Sequence, residues 1–262
     1  MTYSPQEIME RLAGLYGMPI HTPHGDAVAE LVLTILSQNT SDTNSGRAFT
    51  RLLRRFSSWD EVAAAPVEEI VEAIAPGGLA QQKAPRIQAS LRAIAERSGG
   101  WNLDFLKDME LEEARAWLRA LPGVGPKTAA CVLLFALGRP AMPVDTHVER
   151  VAKRLGLIPQ SLTADQAHDA LETLVDPADY YRFHMLLIKH GRRTCSARRP
   201  LCERCPLEPG CPSSLLRPQP AETPAAGQPS REASKSSSSA SQRSRRTSRR
   251  SSKSSSSPSN SS

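Results

Sequence analysis

The chain lacks any apolar run approaching the roughly 20 residues needed to span a bilayer, and it does not open on a basic start followed by an apolar core. No membrane partner is therefore expected, and a cytoplasmic, nucleoid-associated location is. Thiols stay reduced there, so clustered cysteines point to a metal centre rather than to disulfides. Aromatic residues are scarce at 5%, and alternating β-branched runs are few, which argues against a sheet. The last stretch lacks aromatics altogether: 18 of the 33 residues from Ser230 to Ser262 are serine. It has too little apolar surface to offset its ordering entropy, so a disordered tail is expected over 215–262.

The formal charge of +6 is unevenly placed. From Arg217 onward there are 9 Lys and Arg against 2 Glu, whereas residues 1–216 hold 24 basic and 25 acidic side chains. The basic pI thus belongs to the tail. Within the folded part, Arg182, Lys189, Arg192, Arg193, Arg198, Arg199 and Arg204 follow one another with only Glu203 between them. Such a run suits either a nucleic-acid surface or a solvated face.

What remains is helical in pattern. Ser4, Pro5 and Glu7 make a helix start with Ile8, Leu12 and Leu15 on one face. An apolar stretch from Ala27 to Leu36 ends in the polar run Ser37–Asp42, suited to a turn and the cap of the next helix. Further helices are expected near 61–65, 67–74, 84–98, 110–120 and 167–174, the last opened by a Thr163/Gln166 capping box. The fold class is all-α.

The most informative local pattern is Leu121-Pro122-Gly123-Val124-Gly125-Pro126-Lys127-Thr128-Ala129-Ala130. Gly123 and Gly125 permit a tight turn and close approach of the backbone to a ligand, and Pro126 suits the first position of a helix. Backbone N–H groups at that helix start could hold a phosphate. Downstream lies Val144-Asp145-Thr146-His147. Together the two segments resemble the helix-hairpin-helix and catalytic segment of the endonuclease III family of DNA glycosylases, and the resemblance covers nearly all of residues 1–214. Pro126 departs from it, standing where the best-known members carry a basic residue.

The resemblance implies two helical lobes, one of residues 20–139 carrying the hairpin and one of 1–19 with 140–214, and duplex DNA with a damaged base or abasic site lying across their cleft. It implies Lys127 as the nucleophile and Asp145 as the carboxylate partner. An amine attacking the sugar C1′ forms a Schiff base that permits β-elimination, and it must be unprotonated to do so. Burial or the helix start is expected to lower the Lys127 pKa. His147 is expected to be structural. A residue must fill the gap when the base is rotated out, and Gln38 or Asn39 is expected to do so. The implied substrate is an oxidised or damaged pyrimidine, and the protein is expected to be a monomer.

Cys195, Cys202, Cys205 and Cys211 have the spacing C-x6-C-x2-C-x5-C. Four thiolates so close can surround one metal centre. Structural zinc usually uses two short pairs, and only Cys202/Cys205 makes one. The spacing matches the [4Fe–4S] loop of the family, which would hold Arg198 and Arg199 toward the DNA backbone. Cys131 is expected in the core. Two rivals are an adenine-mismatch glycosylase, which lacks the lysine, and a non-catalytic hairpin module that only binds DNA.

Overall fold

The computed structural model describes residues 3–216. Leu215 and Leu216, where the tail is expected to begin, are exposed; its remainder, 217–262, lies outside the described residues. Eleven α-helices occur among the described residues, and no strand does. They are α1 (Pro5–Tyr16), α2 (Ala27–Ser37), α3 (Asp42–Arg55), α4 (Trp59–Ala64), α5 (Val67–Ile74), α6 (Ala80–Ser98), α7 (Leu111–Arg119), α8 (Pro126–Cys131), α9 (Thr146–Arg154), α10 (Ala164–Leu174) and α11 (Tyr180–Arg193).

Local chemistry sets several of these starts. At α1 the Ser4 side chain accepts from Glu7 N while Glu7 reaches back to Ser4 N, and Thr163 with Gln166 repeats the arrangement at α10. Losing such a cap costs about 1 kcal/mol. Helix α6 begins earlier than the pattern suggests. Its first turn precedes Pro85, which sits inside the helix. A proline there removes the bond to the carbonyl four residues back, on exposed Gln81, so water can satisfy the orphaned oxygen.

The helices pack around two apolar cores. One gathers Leu31, Ile35 and Leu36 of α2 with Leu52, Ile70, Ile74, Ile87 and Leu91. The other joins Ile8 and Leu12 of α1 to Val148 and Val151 of α9 and Phe183 and Leu187 of α11. The chain passes between them just after α8, where residues Val132–Ala136 form a π-helical turn. Val132, Leu133 and Ala136 lie in the first core and Leu134 in the second. The extra residue per turn lets neighbouring side chains face two cores, a distortion often found beside functional sites.

Candidate active site at the junction of two cores

The hairpin turn bears on the site through Gly123, whose φ of +76° is left-handed. An added Cβ there would also meet the aliphatic stem of Arg86 at 3.4 Å. Gly125 differs from the expectation of a second special turn residue. It caps α8 in extended backbone (φ −95°, ψ −179°), with open space where a side chain would go. Pro126 takes the first helical position and half-buried Lys127 the second.

Asp145 reaches the same site from the other core. It caps α9, its Oδ1 accepting from His147 N at 2.9 Å and Val148 N at 2.8 Å. The segment that delivers it is pinned residue by residue. Arg139 Nη1 donates to the carbonyls of Leu106 and Met109 at 2.7 and 2.6 Å. Met142 N donates to Glu172 Oε1 at 2.6 Å. His168 Nδ1 lies 2.9 Å from Met142 O, and His184 Nδ1 2.7 Å from Pro143 O. A carbonyl only accepts, so both imidazoles carry their proton on Nδ1. The His147 ring lies 3.1 Å from Arg150 Nη2 and packs against Gly191.

The charges on Lys127 differ from the expected balance. Burial disfavours its ammonium, but Cys131, one turn further along α8, together with Asp145 and Glu30, outweighs that and holds the pKa above the ordinary lysine value. Proximity to a helix start does not reverse this. The same surroundings push the buried Cys131 thiol up to about 11, burial leading. Cys131 is therefore a core residue, as expected, but one that touches the electrostatics of the amine.

Glu30 was not singled out from the sequence, although it is the one charged side chain in the apolar stretch of α2. It accepts from Thr34 Oγ1 at 2.9 Å and faces His24 Nε2 at 3.2 Å, and burial raises its pKa.

The polar run after α2 forms a projecting loop. Gln38 is half-buried, whereas Asn39 is exposed with φ +52°. Ser41 caps α3 by accepting from Asn44 N. Leu79, at the start of α6, also has φ +52° and is 47% exposed. Asn39 and Leu79 are the two non-glycine residues with positive φ among the described residues.

All four cysteines of the spaced set line one pocket, with Arg154 and His190 among its walls. Their loop is built onto α1, α9 and α11. Arg150 Nη2 donates to Gly191 O at 2.9 Å and Cys195 O at 3.1 Å. Arg154 donates to Cys195 Sγ at 3.3 Å, Ser196 O at 2.7 Å and Ala197 O at 2.9 Å. The Tyr3 ring covers Gly210 so closely that an added Cβ would lie 2.5 Å from it. Burial, then the three neighbouring thiols, push Cys205 up to about 11 against a backbone bond that lowers it. Among the described residues no three Cys, His, Asp or Glu side chains converge on a single ion. Four thiols lining one pocket fit a metal centre held by sulfur, which would also ionise them.

The basic run divides. Arg182 pairs with Asp179, Lys189 donates to Tyr16 O at 2.8 Å, and Arg192 forms a two-pronged pair with Asp42. Arg193, Arg198 and Arg199 are exposed, the last two on the cysteine loop.

A hairpin-borne lysine beside a helix-capping aspartate, in an all-helical fold with a four-cysteine loop, defines a class. Residues 32–177 match the HhH-GPD superfamily base excision DNA repair protein family. The chain belongs to that superfamily and, within it, to the endonuclease III family of DNA glycosylases. It is 35% identical to endonuclease III of Thermotoga maritima over 186 residues, covering 71% of this chain and 83% of the relative. It is 34% identical to a putative DNA glycosylase of Arabidopsis thaliana over 197 residues, covering 75% of this chain but 64% of that longer relative. Among solved structures, a non-covalent endonuclease III–DNA complex superposes with a TM-score of 0.69 at 29% identity, covering 81% of this chain and 97% of that one. The protein is thus a base excision repair DNA glycosylase, and DNA is its partner.

Proposed function

We propose that the protein removes oxidised or ring-damaged pyrimidines from duplex DNA and then cleaves the abasic strand as a lyase. The observation that carries this is that Lys127, from the hairpin side, lies within electrostatic reach of Asp145, whose carboxylate is held in place by two backbone N–H groups. Asp145 stabilises the positive charge that grows on the sugar as the base leaves. The Lys127 amine attacks C1′, the glycosidic bond breaks, and its electron pair departs with the base, which takes up a proton. Nitrogen then loses a proton, and its lone pair opens the sugar by breaking the C1′–O4′ bond, whose electron pair stays on O4′ and takes up a proton, which gives the protonated imine. Removal of the C2′ proton then breaks the C3′–O bond, the pair leaving on the phosphate.

The raised pKa of Lys127 makes one requirement explicit. The ammonium must pass its proton on before attack, and Asp145 and Glu30 are the carboxylates close enough to influence it. Asn39, exposed at the loop tip, fits the gap-filling role better than half-buried Gln38. Cys195, Cys202, Cys205 and Cys211 would hold a [4Fe–4S] cluster, which supplies four ligand bonds that fix their loop. Excision and β-elimination are redox-neutral, so a structural role fits, and the exposure of Arg198 and Arg199 on that loop supports their reading as phosphate contacts.

The test incubates wild type and Lys127→Ala with abasic and oxidised-pyrimidine duplexes plus borohydride. A covalent adduct in the wild type and none in the variant is expected. An active wild type that yields no adduct would rule the Schiff base out.

A further inference from the structure

Lys83 is the largest fully buried side chain among the described residues, at 2% exposure. A buried ammonium usually has a carboxylate beside it, because removing the charge from water is costly. Here its hydrogen-bond partners are instead three neutral oxygens. Nζ donates to Leu36 O at 2.7 Å, Thr40 Oγ1 at 2.6 Å and Gly77 O at 3.0 Å. That matches the three N–H bonds an ammonium can offer. Burial lowers the Lys83 pKa, yet the full set of acceptors favours its charged form.

What the three oxygens belong to gives the arrangement its meaning. Leu36 O is near the end of α2, Thr40 is in the loop whose tip is Asn39, and Gly77 closes the turn that leads to Leu79. Thr40 Oγ1, accepting from Lys83, donates its own hydrogen bond to Gly77 O at 2.5 Å. Gly77 is closely packed, since an added Cβ would meet the Ala48 methyl at 3.0 Å and force it to shift. The two loops so joined are those that carry the two strained, exposed residues of the described chain. Left-handed backbone at a non-glycine residue costs on the order of 1–3 kcal/mol and persists where surrounding contacts enforce it.

We infer that Lys83 is a positioning residue that ties the Asn39 loop to the turn before Leu79 as one rigid unit, so that both loop tips are already set when the damaged nucleotide is extruded. This rests on the reading of Asn39 as the gap-filling residue and adds the residue that holds its loop. Lys83 touches neither base nor sugar; it acts through the loops. The arrangement stores the ordering cost of two loops in the folded protein, before DNA arrives.

The experiment compares borohydride trapping on abasic duplex with trapping on abasic single strand, which needs no extrusion. It uses the full chain and the variants Lys83→Met, Lys83→Arg, Thr40→Val, Asn39→Ala and Leu79→Ala. Lys83→Met is expected to lower the duplex-to-single-strand rate ratio by about tenfold or more. Thr40→Val should move the ratio the same way by less, and Lys83→Arg should recover part of it. Fluorescence of a 2-aminopurine opposite the abasic site, which reports unstacking, should fall with the ratio. A parallel loss on both substrates, or an unchanged ratio in both Lys83→Met and Thr40→Val, overturns the inference. Should Asn39→Ala and Leu79→Ala leave the ratio unchanged, the gap-filling reading fails by itself, separately from the Schiff-base chemistry.

Discussion

Two histidines illustrate how single residues tie stability to the site. His184 and His168 hold the carbonyls of Pro143 and Met142, the two residues before Val144-Asp145. Burial is the leading cause that lowers both pKa values, that of His184 to about 4. Asp145 opposes the shift at His184, while Lys127 and His168 add to it. At His168, Glu172 and Asp165 oppose it and Arg115 adds to it. An unfolded histidine takes up its proton near 6.5. Below that pH the unfolded chain binds protons that the folded chain refuses. The contribution of His184 is therefore fully present above pH 6.5 and is lost as the pH falls toward 4, and that of His168 is lost in the same direction below pH 6.5. Between those two values the slope for His184 is about 1.4 kcal/mol per pH unit. Denaturant unfolding at several pH values should show a shallower acid loss for His184→Gln than for the wild type. Parallel curves would show that His184 does not carry the linkage.

At the scale of elements, α9 connects two kinds of chemistry. Its first turn is capped by Asp145, and its later turns present Arg150 and Arg154 to the cysteine loop. Arg154→Ala removes three hydrogen bonds from residues 195–197 at once. The variant is expected to be purified with at least about twofold less iron per chain and to bind duplex DNA more weakly, as charge-assisted bonds are worth about 1.5–3 kcal/mol each. Full iron content together with full affinity would mean that the loop is held without α9. The cysteine spacing made this loop legible in the sequence, because ligand sets are local. The capping boxes at Ser4 and Thr163 and the span of α5 were legible for the same reason. Lys83 and Glu30 were not. A lysine in a helical pattern looks solvated until partners 47 and 6 residues away are brought to it. The π-helical turn and the first turn of α6 also escaped, since both arise from tertiary packing that overrides the local pattern. The left-handed Leu79 had a faint signal in the preceding Pro76-Gly77-Gly78.

For the whole molecule the distribution of charge decides how it meets DNA. Residues 1–216 carry 24 basic and 25 acidic side chains, so that part as a whole has no net attraction for a polyanion. Several of its cations are also engaged internally: Arg182, Lys189 and Arg192 all have partners within the chain. Residues 217–262 carry 9 cations against 2 carboxylates. Each cation that neutralises a phosphate adds about 0.9 to the slope of log affinity against log salt. Removing 217–262 should therefore flatten that slope and weaken duplex binding about tenfold or more at low salt, with little change at high salt. The single-turnover excision rate at saturating protein should stay within about twofold, since Lys127 and Asp145 both lie in the retained part. A version with the same residues of 217–262 in shuffled order separates charge from sequence. Electrostatic attraction depends on composition, so the shuffled chain should recover the wild-type salt slope. If it behaves like the truncated protein, the segment acts through an ordered contact instead, and the counterion account of its role fails.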